Sequence, residues 1–212
     1  MAPSIEHRKI ISNIDCDLVI DVGANRGQFS LVSRLVKPEV PVVAFEPIQA
    51  EAEIYRRVIS GFGDARLHEI ALGDSAKVAK LHISRSADNS SLLACSPLQE
   101  QLFPGTQEVG TQEVSVMTLD NFIGEWKSYS RILLKIDVQG VELSVLKGAT
   151  ETLKRCTHVY VECSQVELYV GQALYRDVMD FLEQQGHKLQ DRCNEILRDG
   201  KLIQADYLFV PK

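Results

Sequence analysis

Four short apolar runs, each closed by an acidic residue, constrain this chain more than any other feature: Leu18-Val19-Ile20-Asp21, Val42-Val43-Ala44-Phe45-Glu46, Ile132-Leu133-Leu134-Lys135-Ile136-Asp137 and His158-Val159-Tyr160-Val161-Glu162. Their interiors are nearly continuous Val, Ile and Leu, the pattern of parallel strands covered by helices on both faces. Amphipathic segments of helical length lie between and after them, near 27–36, 49–60, 140–155 and 172–185, the last stopped by Gly186. This alternation predicts an α/β fold wound around one mostly parallel sheet. Ligands of such sheets bind at the carboxyl ends of the strands, so Asp21, Glu46, Asp137 and Glu162 are expected to gather around one cleft.

Residues 1–212 read as a single domain. Residues 1–16 are expected to form a leading helix with Ser4 as its cap, and Ala65 to Glu69 a further strand. Extended segments near 187–191 and 205–210 suit a closing hairpin around a turn-rich stretch from Asn194 to Gly200. Simple alternation breaks between 76 and 119. There two extended segments, Val78 to Ser84 and Glu113 to Thr118, enclose a polar piece at 86–110 that reads as a lid or acceptor loop, with a disordered insertion as the alternative.

Charge and composition exclude several functions. Lys plus Arg number 23 against 29 Asp plus Glu, a net charge of −6 that offers no broad basic face to nucleic-acid phosphates. The longest apolar runs fall far short of the roughly 18 residues of a membrane helix. The N-terminus lacks the apolar core of a secretory signal, which points to the cytoplasm. Cys16, Cys95, Cys156, Cys163 and Cys193 form no CxxC pair and, with the histidines, no zinc spacing, so they read as free or buried thiols.

The strongest local signal is Asp21-Val22-Gly23-Ala24-Asn25-Arg26-Gly27-Gln28, set between a strand and a helix. Gly23 permits a tight turn and close backbone approach, and the helix start presents N–H groups that favour an anion. The spacing is G-x-x-x-G, with Asn25 where a dinucleotide loop has its second glycine, which argues against a nicotinamide or flavin site and fits an amino-acid-bearing nucleoside. Glu46, at the end of the next strand and followed by Pro47, suits both hydroxyls of a ribose. Ala71-Leu72-Gly73-Asp74 is expected across the same cleft, with Asp74 either on an adenine amino group or in an ordinary turn.

Together the segments VIDVGANRGQF (19–29), VVAFEP (42–47), ALGD (71–74), VMTLDNF (116–122) and LLKIDVQGVELSVLKGA (133–149) resemble the FkbM family of S-adenosylmethionine-dependent methyltransferases. The resemblance spans the chain from about Asp17 onward. It implies a Rossmann-like class I methyltransferase sheet of seven strands with the last antiparallel, S-adenosyl-L-methionine as cofactor, and methyl transfer to a hydroxyl of a sugar, polyketide or other small molecule. The expected cofactor site comprises Asp21, Gly23, Ala24, Asn25, Gly27, Gln28, Glu46, Pro47, Ala71, Leu72, Asp74 and Asp137. The family pattern is more often D-V-E-G, so Gln139 is a departure that bears on acceptor binding or on charge at the cleft.

An alcohol acceptor must lose its proton during or after attack, which calls for a nearby base or metal. Asp137 is the first candidate. Lys135, two residues earlier and on the same side of the strand, is expected either to pair with it or to lie deeper. Glu162 could bind acceptor hydroxyls or join Asp137 around a divalent cation. Glu142, favoured in a first helical turn whatever its function, and His158, at a strand start, are weaker candidates. The alternatives are a non-catalytic adenosyl-binding module and a nucleic-acid methyltransferase. Against the latter, this chain has no N/D-P-P-Y/F segment and no Pro-Cys nucleophile. Homodimer pairing along an exposed sheet edge is a further expectation.

Overall fold

The computed structural model describes residues 5–212, so the Ser4 cap lies outside the described residues. A 3-10 turn at Ile5–His7 leads into helix α1 (Arg8–Asn13). Strands β1 (Leu18–Val22), β2 (Val42–Phe45) and β3 (Ala65–His68) alternate with helices α2 (Gln28–Val36) and α3 (Gln49–Ile59). After an excursion the chain returns as β7 (Ile132–Ile136), α5 (Glu142–Lys147), α6 (Thr150–Leu153), β8 (Cys156–Ser164), α7 (Tyr175–Gln184), β9 (His187–Arg198) and β10 (Lys201–Pro211).

These strands form one seven-stranded sheet in the order β3-β2-β1-β7-β8-β10-β9. The first five are mutually parallel, and β10 runs antiparallel to both its neighbours. The chain winds outward from β1 to β3 and then crosses back to lay β7 on the other side of β1. The ends of β1 and β7 therefore flank the switch point where a crevice opens. Two apolar layers cover the sheet. Leu134, Val145, Leu146, Val159 and Leu182 belong to one, while Val19, Phe29, Val32, Leu133 and Tyr160 belong to the other.

The excursion is ordered. Strands β4 (Ala71–Leu72), β5 (Lys77–Ser84) and β6 (Glu108–Met117) make a second sheet in the order β4-β6-β5, with helix α4 (Pro97–Leu102) between β5 and β6. Ser96 caps α4 by accepting from the Gln99 N–H, and Pro97 occupies its first turn, where a missing N–H is harmless. Leu93, Leu98, Leu102 and Phe103 pack on Leu168, Tyr169 and Ile203 and seat the polar segment against the main sheet. The second extended segment is longer than sequence pattern suggests because Glu108 to Gln112 pair with β5 although exposed on both faces.

Two boundaries differ from expectation. The closing hairpin turns only at Asp199-Gly200, where φ is +50° and +73°, so most of the expected turn belongs to β9. An Asp-Gly pair with both residues left-handed matches the right-handed twist of the flanking strands. The helix expected at 140–155 is two short helices broken at Gly148. A Cβ at Gly148 would lie 2.0 Å from the Gly73 carbonyl oxygen, so the chain passes the β4 turn only as glycine. The restarted helix α6 is held by Asp120, whose carboxylate accepts from the N–H groups of Glu151 and Thr152 at 2.9 and 2.8 Å. Gly148→Ala is expected to lower stability by about 2–4 kcal/mol, because backbone rather than a flexible side chain must give way. Chemical denaturation of the variant checks this, and an unchanged midpoint contradicts it.

Candidate functional site

A cavity of about 550 Å³ opens over the ends of β1, β2 and β7, within the usual range for small-molecule sites. Its lining includes Gly23, Ala24, Asn25 and Gln28 from the glycine loop, Glu46 and Pro47 after β2, and Ala71 and Leu72 of β4. Lys135, Asp137 and Glu162 complete the expected set found there.

Three expected cofactor residues stand apart. Asp21 is fully buried beneath the loop, where Ser30 Oγ donates to its Oδ2 at 2.6 Å and Lys135 Nζ lies 3.0 Å from its Oδ1. It faces inward because residue 21 is within β1 and its side chain points to the α2 side of the sheet. Gly27 is turned onto Tyr55, whose ring a Cβ would meet at 2.9 Å. Asp74 is exposed and caps its own turn, accepting from Ser75 Oγ and Lys77 Nζ.

The loop itself is not a ring of free donors. The N–H groups of Gly23 and Ala24 both donate to the Phe45 carbonyl, Asn25 to Glu46 Oε2, Arg26 to Asn25 Oδ1 and Gly27 to the Ala24 carbonyl. These bonds fix the loop with Asn25 left-handed at φ +48°. Gly23 is required for another reason than ligand approach: at φ +77° a Cβ would stand 1.8 Å from the Asp137 carbonyl oxygen.

Glu46 is held by both oxygens, Oε2 by the Asn25 N–H and Oε1 by the Ile48 N–H, each at 2.8 Å. Burial outweighs those donors and pushes its carboxyl up to about 7. Lys135 lies deeper than Asp137. Its ammonium donates to the Gly23 carbonyl at 2.9 Å and pairs with Asp21, whereas Asp137 Oδ2 is 3.9 Å away. Burial opposes the charge, but Asp21 and Asp137 together hold Lys135 above its ordinary value. Asp137 keeps 37% of its side chain exposed, against 7% for Lys135.

Gln139, left-handed at φ +56°, donates from Nε2 to Asp137 Oδ1 at 2.7 Å and to Glu162 Oε2 at 2.9 Å. Burial and the neighbouring charges of Asp137, Asp206 and Glu142 raise Glu162 well above the usual carboxylate range. Glu142 accepts from the N–H groups of Gly140 and Val138 and so pins the turn after β7. His158 is the third residue of β8, away from the cavity lining, and bonds Thr157. Among the described residues no group of three or more His, Cys, Asp or Glu side chains is arranged to hold a metal ion.

Sequence reasoning missed one side of the cavity. His7, Tyr160, Asn194 and Asp206 line it and form one network: Tyr160 Oη donates to Asp206 Oδ2 at 2.7 Å, Asn194 Nδ2 donates to the same oxygen at 2.7 Å, and His7 Nδ1 lies 2.9 Å from Tyr160 Oη. Asn194 reaches it because β9 bulges there, with φ +50° and a register shift against β10 between Gln204 and Asp206. No spacing rule joins residues 7, 160, 194 and 206. The period-two alternation of Tyr160 with Glu162 was the one available signal.

The methyltransferase FkbM domain model matches residues 21–189. This chain belongs to the FkbM methyltransferase family. The 2-O-methyltransferase NoeI of Sinorhizobium fredii is 28% identical over 184 residues, covering 83% of this chain and 76% of that protein. The 31-O-demethyl-FK506 methyltransferase FkbM of Streptomyces tacrolimicus is 28% identical over 184 residues, covering 74% and 69%. Among solved structures, magnesium protoporphyrin IX methyltransferase of Synechocystis with bound S-adenosylmethionine superposes at TM-score 0.53 and 9% identity, over 98% of this chain and 81% of that one. An rRNA methylase of Streptococcus thermophilus superposes at TM-score 0.51 and 9% identity, over 100% and 97%. These structures share the fold, the class I methyltransferase sheet expected from the family resemblance. The FkbM-family chain is an S-adenosylmethionine-dependent methyltransferase.

Burial holds the Glu142 carboxyl at about 7, against an ordinary value of 4.5, so the folded state retains a proton that the unfolded chain gives up. Stability is expected to be fullest below the ordinary value and to fall by about 3 kcal/mol as pH rises from 4.5 through 7. In Glu142→Gln, which preserves the acceptor oxygen but cannot ionise, the decline measured by denaturation between these pH values flattens.

Proposed function

We propose that this methyltransferase acts on a hydroxyl oxygen of a small molecule, sugar or polyketide, with the cofactor seated over the Gly23–Asn25 loop and the acceptor beside Asp137. The observation that carries the reading is the continuity of one cavity from Glu46, across the loop, to Asp137 and Glu162. S-adenosyl-L-methionine, when bound, supplies an activated methyl group on a sulfonium.

The residues fit that group. Glu46 oxygens, each oriented by one backbone N–H, keep lone pairs for the two ribose hydroxyls. Pro47, Ala71 and Leu72 offer an apolar wall for a purine. The buried Gln28 Oε1 has no hydrogen-bond partner among the described residues, and a ligand ammonium would satisfy it. Asp137 is the half-exposed carboxylate of the switch point, and its Oδ1 is already held by Gln139. That leaves Oδ2 to take the acceptor proton, while Lys135 below orients the loop rather than touching the acceptor. In-line transfer asks mainly for alignment, and a fixed loop on one side with a tied carboxylate on the other supplies it.

Segment 86–110 forms the acceptor-side cover in this reading, since Ala87, Asp88, Ser90, Ser91 and Leu92 line the cavity. The names of the two relatives, one a 2-O-methyltransferase and the other a 31-O-demethyl-FK506 methyltransferase, support oxygen as the acceptor atom. Cytoplasmic residence belongs to the same proposal; among the described residues no helix is long and apolar enough to cross a membrane.

Calorimetric titration with S-adenosylhomocysteine tests the cofactor half. Glu46→Ala is expected to weaken binding by about 1–3 kcal/mol through the lost charge-assisted bonds, and unchanged affinity removes Glu46 from the site. Transfer of labelled methyl to a panel of oligosaccharides and hydroxylated macrolides tests the other half. For any acceptor so found, Asp137→Asn is expected to retain cofactor affinity and lose about 100-fold or more in turnover; full turnover removes Asp137 from the chemistry.

A further inference from the structure

Both side-chain polar atoms of Gln139 and its main-chain oxygen are committed. Nε2 donates to Asp137 Oδ1 and Glu162 Oε2, Oε1 lies 2.9 Å from the Tyr169 hydroxyl, and the main-chain oxygen accepts from Ser91 Oγ at 2.6 Å. The partners fix which way the amide points. Exchanging its oxygen and nitrogen would set an acceptor against two carboxylates, whereas the Tyr169 hydroxyl can donate to Oε1 as drawn. Glu162 Oε2 receives a second amide as well, Gln204 Nε2 at 2.5 Å.

The backbone gives a second reason to regard the position as built. Gln139 is left-handed, a region that few residues other than glycine, Asn and Asp occupy at low cost. The next residue, Gly140 at φ +101°, lies where a Cβ would meet the Tyr169 ring at 3.2 Å, so the turn is clamped against Tyr169. The Lys135 ammonium beneath Asp137 is engaged by Asp21 and the Gly23 carbonyl.

Two carboxylates from neighbouring strands that converge on one point ordinarily share a proton or a divalent cation, since like charges repel and hard cations prefer oxygen ligands. Here the NH₂ group of Gln139 donates to both carboxyl groups, beside the hydrogen bond that Glu162 shares with Asp137. We infer that Gln139 is a positioning residue, a permanent uncharged bridge that ties Asp137 to Glu162 and keeps the pair from binding a divalent cation. The acceptor hydroxyl then meets carboxylate oxygens alone. Only this last step rests on the O-methyltransferase reading; the bridge and its effect on cation binding stand on the hydrogen bonds themselves.

The experiment titrates Mn²⁺ and Mg²⁺ calorimetrically into the full chain, with S-adenosylhomocysteine titrated in parallel and a thermal melt to verify folding. The native chain is expected to show no saturable Mn²⁺ site at Asp137. Gln139→Glu replaces the bridge by a third carboxylate and is expected to bind Mn²⁺ about tenfold more tightly or better. Combining it with Asp137→Asn is expected to abolish the gain. Gln139→Gly suits the left-handed backbone, removes the amide without adding charge, and is expected to gain Mn²⁺ affinity to a smaller degree; it decides the matter if Gln139→Glu does not fold. A native Mn²⁺ site that disappears in Asp137→Asn overturns the inference, and so does a failure of both folded variants to gain affinity. If the native chain does not bind S-adenosylhomocysteine, the proposed cofactor site fails, while the cation titrations still decide the bridge.

Discussion

The site depends on one buried ammonium. Lys135 reaches from β7 to Asp21 on β1 and to the carbonyl of Gly23 at the head of the loop, joining the two paired strands that flank the switch point. The Asp21 carboxylate is in turn held by Ser30 on α2, whose hydroxyl receives Tyr55 Oη from α3 at 3.1 Å. A chain of polar contacts thus runs under the loop from α3 to β7. Buried ion pairs contribute little net stability, because desolvation offsets attraction, but removing one partner strands the other at about 3–5 kcal/mol. Such a network specifies one arrangement of the loop.

That arrangement explains what could be read from the sequence and what could not. The parallel strands were legible because β1, β2 and β7 are buried on both faces and nearly continuous in apolar residues, and helices α2 and α3 because their apolar periods are regular. Glu46, Asp137 and Glu162 were legible as cleft residues since strand ends converge by topology. Asp21 was misplaced by the same rule, for it lies within β1 and one residue decides whether a carboxylate faces the crevice or the underlying layer. Asp74 was misplaced because a turn with local donors satisfies its own carboxylate. The network of His7, Tyr160, Asn194 and Asp206 depends on a bulge and on a strand inserted out of order, which local pattern does not encode.

The cavity joins two electrostatic environments. On the β2 side Glu46 is shielded and raised towards neutrality by burial, while on the β8 side Glu162 and Asp206 are raised by burial together with each other's charge or that of Asp137. Neutral amides, Gln139, Gln204 and Asn194, stand between or beside these carboxylates and donate to them. Carboxylates kept close by amide donors remain acceptors for hydroxyl groups without the rearrangement that mobile counter-ions bring.

Strand β10 lies between β8 and β9 although it follows both in the chain. During synthesis β9 therefore has no neighbour in the main sheet until β10 has emerged and turned back at Asp199-Gly200. The parallel core can assemble earlier around β1 and β7, but the wall bearing Asn194 and Asp206 arrives last. A nascent chain would thus carry a formed loop and an open flank, and the cavity would close only in the final step. Long-range insertion of this kind is slow relative to local hairpin or helix formation. The late flank leaves the hydrogen-bonding edge of β8 unpaired for that interval, and an unpaired edge is a template for association while the protein folds.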